Sequence, residues 1–158
     1  MNNFSKDDEH FMRKAITCAQ QAFSKGEVPI GAVIVADGGA KKIDGTAKVL
    51  AATYNLVETL CDATAHAEMQ AITAAASELG SKYLQDCTLY VTVEPCPMCA
   101  AACRWSQIGR VVWGADDPKG GFRRYSETLL HPKTVAQNGL MAEECAELMK
   151  KFFSELRN

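Results

Sequence analysis

Long apolar runs are missing from this chain. No stretch of about 18 apolar residues occurs among its 158 residues, so no helix that spans a bilayer is expected. A secretory leader is missing too, because the opening MNNFSKDDEH is polar and acidic, and the expected compartment is the cytoplasm. Internal repeats and low-complexity tracts are absent. Charge of one sign is scarce: 17 Lys and Arg against 19 Asp and Glu leave a formal charge of -2, which does not announce a nucleic-acid binder and does not exclude one, since distribution matters more than the sum. Histidine is scarcest of all the potential metal ligands, at three. Cysteine is not scarce, but seven is an odd count in a chain without a leader; a disulfide framework is therefore not expected, and thiols or metal ligands are. With 47% hydrophobic and 23% charged residues, the composition suits one compact domain over residues 1–158.

Ser5 followed by Asp8 has capping-box spacing, and Phe11, Ala15, Cys18 and Ala22, with Met12, Ile16, Ala19 and Phe23, recur at helical period. A first helix is predicted over 6–25, ended by Gly26 and Pro29. IGAVIVA (30–36) and VLAAT (49–53) are short branched runs that read as paired strands, although the connection over 37–48 is long and glycine-rich for a hairpin. A second helix is predicted with Ala65, Met69, Ile72, Ala76 and Leu79 on one stripe and Gly80 as its stop. TLYVTV (88–93) is a strand, and the prolines that follow suit the first turn of a helix over 97–106. RVVWGA (110–115) is a fourth strand, DDPKGGFRR a turn-rich connection, and 128–131 a short helical turn. The last helix starts near Ala142 and carries Cys145, Leu148, Phe152 and Leu156 on one face; Cys18 and Cys145 read as inert core residues. This alternation predicts a layered α/β domain with helices on both faces of a mixed sheet.

Two segments carry chemistry: His66-Ala67-Glu68 and Pro95-Cys96-Pro97-Met98-Cys99, each opening a helix. Cys96 and Cys99 are three apart, so both sulfurs face one side of a helix whose N-terminus favours thiolates. Two sulfurs leave a metal short of ligands, and among His10, His66 and His131 the best placed is His66, which also heads a helix. Three protein ligands leave the fourth position of a tetrahedral Zn²⁺ to water, as in a catalytic site. Cys103 is the residue that would close the site instead, but it sits a full turn deeper in the helix. Glu68, two residues from His66, shares its site only if that site lies over the helix end. There a carboxylate can take a proton from a water whose pKa zinc lowers to about 7 and hand it to a leaving group.

His-x-Glu combined with Pro-Cys-x-x-Cys is the signature of zinc deaminases. The chain resembles the cytidine deaminase-like superfamily and, within it, the bacterial tRNA-specific adenosine deaminases, which convert adenosine to inosine at the wobble position of an anticodon. The likeness runs through EVPIGAVIV (27–35), Asn55, TAHAEMQAI (64–72), TLYVTVEPCPMC (88–99), IGRVVWGADDPKGG (108–121), LHPKT (130–134) and ECAELMKKFF (144–153). The resemblance implies a three-layer α/β/α fold with a central mixed sheet of about five strands. It implies one zinc per subunit on His66, Cys96 and Cys99, with Glu68 as the proton shuttle. It also implies that Asn55 hydrogen-bonds the flipped purine and that Ile30, Ala67, Val93 and Pro95 line its pocket. Asp117 is expected near the ribose 2′-hydroxyl of the preceding nucleotide, and Lys119 and Phe153 where the family grips a tRNA anticodon stem-loop. Family members are homodimers.

RNA also asks for a basic surface, and 104–133 contain Arg104, Arg110, Lys119, Arg123, Arg124 and Lys133 against Asp116, Asp117 and Glu127, with Phe122 and Tyr125 available for stacking. Two departures from the family stand out: the 37–48 connection is longer than the usual tight hairpin, and AACRWS at 101–106 replaces a run of small residues with glycine, which bears on the subunit contact. Two other functions share the zinc motif, a free-base or nucleoside deaminase of guanine or cytosine type and a non-catalytic zinc fold serving as an RNA-binding subunit. EVPIGA and the 108–134 segment favour the tRNA reading over the first, and Glu68 favours an enzyme over the second.

Overall fold

The computed structural model of the chain describes residues 3–43 and 45–157. Helix α1 (Lys6–Ser24) opens on the expected capping box: the Asp8 N–H donates to Ser5 Oγ at 3.1 Å, and the Ser5 N–H donates to Asp8 Oδ2 at 2.9 Å. The hairpin β1 (Gly31–Ala36) and β2 (Lys48–Tyr54) follows, then the single turn α2 (Val57–Leu60), α3 (Ala67–Leu79), β3 (Cys87–Val93), α4 (Pro97–Ser106), β4 (Arg110–Ala115), β5 (Val135–Asn138) and α5 (Ala142–Leu156). Among the described residues the strands form one mixed sheet in the order β2-β1-β3-β4-β5. β1 runs antiparallel to both of its neighbours, and β3, β4 and β5 are parallel.

The sheet is covered on both faces, which is why its central strands are apolar throughout instead of alternating. Ala32, Ile34, Leu89, Val91, Val111 and Trp113 pack towards α3 and α4, while Val33, Val35, Tyr90 and Val112 pack towards α1 and α5. This is the expected three-layer α/β/α arrangement. α1 lies so close to the sheet that a Cβ at Gly31 would meet the Ala15 carbonyl oxygen at 1.9 Å, so glycine is required where β1 begins.

Register places the functional end. β1 pairs Gly31 with Tyr54 of β2 and Ala32 with Val91 of β3, so Ile30, Asn55 and Val93 gather at one edge of the sheet, where α3 and α4 also start. The opposite edge holds the long 37–48 connection, since Ala36 pairs with Lys48 and with Cys87. That connection, in which Asp44 lies outside the described residues, decorates the far end: Asp37 and Gly38 donate backbone N–H groups to the Asp86 carbonyl, and Lys42 reaches Asp8 at 2.8 Å.

Several local expectations are corrected. Residues 128–131 are not helical, and the helical turn of this region is the 3₁₀ segment Phe122–Arg124, where the side chain of Phe122 is buried in the core. β5 and α2 have too little apolar pattern to be found by periodicity: β5 is an edge strand of sequence VAQN with Val135 exposed. The buried line of α3 is Ala67, Ala71 and Ala75, with Glu68, and Leu79 is exposed, because only alanines allow this helix to approach the sheet closely. On α5, Cys145 and Phe152 are buried but Leu156, the last helical residue, is exposed.

Arg110 is also no surface charge. It is buried, and its guanidinium donates to both oxygens of the buried Asp8 at 2.9 and 3.2 Å, while Tyr90 donates its hydroxyl to Asp8 at 2.7 Å. Burial pushes the Asp8 carboxyl up, but the donors from Arg110, Lys42, Tyr90 and Ser5 outweigh it and hold the group well below the usual carboxylate range. Asp8→Asn would strand the Arg110 charge, and the expected loss is about 3–5 kcal/mol of unfolding free energy by urea titration. The folded-state pKa is depressed, so the stability from Asp8 is complete above its unfolded value of about 3.9 and is lost as pH falls below it. An acid titration of stability should accordingly be flatter for the variant than for the parent.

Candidate active site

α3 and α4 begin in the same way. His66 stands at the N-cap of α3 with extended backbone (φ -68, ψ 154), and Cys96 at the N-cap of α4 (φ -70, ψ 168) with Pro97 as the first helical residue. Cys99, one turn along, faces the same side as Cys96. The His66 Nδ1 lies 3.6 Å from Cys96 Sγ and 3.5 Å from Cys99 Sγ, and all three ligand atoms lie within 4.8 Å of one another. A tetrahedral zinc with Zn–S of about 2.3 Å and Zn–N of about 2.1 Å has N···S edges of about 3.6 Å, so the donor set fits that ion in both size and chemistry. Cys103 is outside this group; it is fully buried in the core behind α4, and burial pushes its thiol well above the ordinary range.

Electrostatics favour a cation here. The hydrogen bond from Cys99, outweighing burial, lowers the Cys96 thiol, assisted by the backbone N–H groups of Met98 and Cys99 at the start of α4. The hydrogen bond to Cys96, together with burial, raises Cys99 in turn. Glu68, in the first turn of α3, is buried against the pair. Its burial pushes the carboxyl up to about 7, and the negative charge at Cys96 adds to the effect. The site therefore concentrates more acid than it can ionise without a positive partner.

A cleft opens above this cluster in two lobes of about 590 and 610 Å³, which share Val28, Ile30, His66, Glu68 and Phe153. Asn55 and Ala67 line the first lobe; Val93, Asp117, Lys150 and Arg157 line the second. Of the residues singled out in the sequence, His66, Glu68, Cys96, Cys99, Asn55, Ile30, Ala67, Val93, Asp117 and Phe153 thus come together. Pro95 and Lys119 do not line either lobe. Pro95 is buried behind the second lobe, its carbonyl accepting the Phe122 N–H at 2.8 Å, and Lys119 is an exposed residue on the loop that carries Asp117.

The stacking role read for Phe122 is overturned: it is buried edge-on against Trp113, with ring centroids 5.6 Å apart. Tyr125 does remain exposed. Pattern reading also missed two buried acids that shape the cleft. Glu27, a wall of the first lobe, accepts the backbone N–H groups of Glu58 and Thr59 at 3.0 and 2.6 Å and so fixes α2 directly after Asn55. Glu94, a wall of the second lobe, binds Arg123 and two backbone N–H groups. Their position between a strand or helix end and a proline was the available signal, but acids at such places are ordinarily solvated.

Fold and site together define a class: the chain belongs to the cytidine and deoxycytidylate deaminase family, whose zinc-binding region matches residues 5–115. Within that family the chain is 43% identical over 155 residues to the tRNA-specific adenosine deaminase of Bacillus subtilis, covering 95% of this chain and 91% of that one. It is 42% identical to the enzyme of the same name from Aquifex aeolicus, covering 95% and 96%. A solved structure from a study of A-to-I editing by tRNA:A34 deaminases at the wobble position superposes with a TM-score of 0.76 and 41% identity, over 88% of this chain and 98% of that one. A guanine deaminase of Bacillus subtilis is 39% identical with a TM-score of 0.60, over 73% of this chain and 66% of that one.

Elemental analysis should find about one zinc per chain in the parent and after Cys103→Ala. His66→Ala should lose it, and retention of zinc by that variant would place the ligand elsewhere.

Proposed function

We propose that the chain, over its whole length as one domain, is a zinc-dependent hydrolytic deaminase that converts adenosine to inosine at the wobble position of a tRNA anticodon loop. The observation that carries this reading is the buried Glu68 beside the His66–Cys96–Cys99 cluster, at the point where both lobes of the cleft meet. The similarity to the tRNA-specific adenosine deaminases, at 42–43% identity over nearly the full length of both chains, supports the substrate.

In this reading His66, Cys96 and Cys99 hold the zinc, which when bound makes a water acidic enough to serve as a nucleophile near neutral pH. The remaining steps belong to the chain's own groups. Glu68 takes one proton from the attacking water at its carboxylate and passes it to N1 of the ring, then takes the second from the added oxygen and passes it to the departing amino nitrogen, so that water adds at C6 of the purine and ammonia leaves. A carboxyl with raised proton affinity suits both halves of that task. The amide of Asn55, held at the end of β2 by its backbone bond to the Ile30 carbonyl, orients the base in the first lobe. Ile30, Ala67 and Val93 exclude water around it, with Pro95 backing the wall. Asp117 in the second lobe, Phe153 in the lining of both lobes and the exposed Lys119 two residues after Asp117 face the flanking nucleotides of the stem-loop.

The reading includes a cytoplasmic homodimer. Trp105 on α4 is 81% exposed, and Met98, Ala101 and Ala102 on the same helix are half-buried, an unpartnered apolar face next to the site. A second copy of the chain is the occupant that the family resemblance supplies. Among the described residues no helix is long and apolar enough to cross a membrane.

The parent protein is expected to produce inosine, read as G by sequencing, in an anticodon stem-loop while leaving free adenosine, guanine and cytosine unchanged. Turnover of free bases without RNA editing would favour the guanine-deaminase alternative. Glu68→Ala should keep about one zinc per chain and lose all measurable editing; an active variant refutes the shuttle. Light scattering should give twice 17.2 kDa for the parent, and Trp105→Glu should shift it towards the monomer.

A further inference from the structure

Arg123 is one of the charges that make 104–133 read as an RNA-binding stretch, yet its guanidinium is already engaged. Nη2 donates to Glu94 Oε1 at 3.1 Å and to Asp116 Oδ1 at 2.8 Å, and Nε donates to Glu94 Oε2 at 3.2 Å. The guanidinium carbon lies 5.0 Å from the centroid of the Trp113 ring, whose own N–H donates to Asp116 at 2.8 Å. Glu94 is buried and accepts two further bonds, from the backbone N–H groups of Asp117 and Arg123, at 3.1 Å each. The backbone passes so close to this acid that a Cβ at Gly121 would meet its carboxylate at 2.3 Å.

These contacts join residues 116–123 to residues 94 and 95, which lead directly into Cys96. Glu94, Asp116, Asp117 and Gly120 are walls of the second lobe. A guanidinium whose Nε and Nη2 are taken by two carboxylates and which stacks on an indole has only Nη1 left, not a bidentate fork, to offer a phosphate. We propose that Arg123 is a positioning residue, which clamps the 116–120 wall of the second lobe onto Glu94 and thereby sets how tightly the cleft holds an anticodon loop, without itself contacting RNA phosphate. The inference rests on the function proposed above.

Charge and clamp make opposite predictions. Affinity for an anticodon stem-loop is measured across a salt series in the Glu68→Ala protein, alone and combined with Arg123→Ala or Arg123→Lys. Arg123→Lys keeps the charge but cannot span Glu94 and Asp116 in the same way, and it serves wherever the alanine variant does not fold. Both substitutions are expected to weaken binding at least tenfold, with the slope of log affinity against log salt unchanged. In the active protein KM should rise at least tenfold, with kcat falling less than threefold.

A direct phosphate contact would give near-parental affinity for Arg123→Lys and a slope shallower by about 0.7 for Arg123→Ala, and that result overturns the proposal. Unchanged affinity in both variants overturns it as well. If the Glu68→Ala protein binds no stem-loop, it is the proposed function that fails. The clamp is then read by amide exchange at Asp117 and Arg123, at least tenfold faster in both variants if it holds the loop and unchanged if it does not.

Discussion

The antiparallel seat of β1 between β2 and β3 is the constraint on which the site depends. Because β1 runs against both neighbours, the start of β1 and the ends of β2 and β3 share one edge, and the helices that follow β2 and β3 must both begin there. Two helix N-termini converging on one point bring partial positive charge and free N–H groups to the place where two thiols and a carboxylate stand. The same pairing sends the long 37–48 connection to the opposite edge. The extra length of that connection therefore stands away from the cleft for a topological reason.

Buried carboxylates in the fold divide into two kinds. For Asp8 and Glu27, burial raises proton affinity, but several donors outweigh it and both groups stay below their ordinary values. Each works as an anchor: Asp8 ties α1 to Arg110 of β4, and Glu27 ties α2 to the turn before β1. Glu68 faces instead its own backbone N–H and the two thiols, so burial prevails and its carboxyl rises to about 7. Of these three, the acid that holds its proton most readily is thus the one beside the His66–Cys96–Cys99 cluster, while the two well-supplied acids hold the scaffold in place.

Elements with a strong apolar period were legible from residues alone: α1, the central strands, α4 and the start of α5 fall where pattern and capping place them. β5 was not, because an edge strand with polar faces carries no alternation. The stripe on α3 was misread because hydrophobicity ranks Met69, Ile72 and Leu79 above alanine, whereas the close approach of helix and sheet selects Ala67, Ala71 and Ala75. The basic character of 104–133 was legible as composition but not as surface: Arg110 is buried on Asp8, and Arg123 is held by Glu94 and Asp116, leaving Arg124 and Lys133 among the exposed cations.

By itself the sequence determined the donor set, since three histidines and one Cys-x-x-Cys at helix starts leave few ways to ligate a metal, and helix starts are written locally in cap and proline positions. Only the tertiary structure decided that each of the two sulfurs stands 3.5–3.6 Å from Nδ1 of His66, that Cys103 is turned into the core, and that the cleft has two lobes that share Val28, Ile30, His66, Glu68 and Phe153. Those facts rest on strand register and on helix-to-sheet distance, which couple residues tens of positions apart and leave no trace in any short window of the chain.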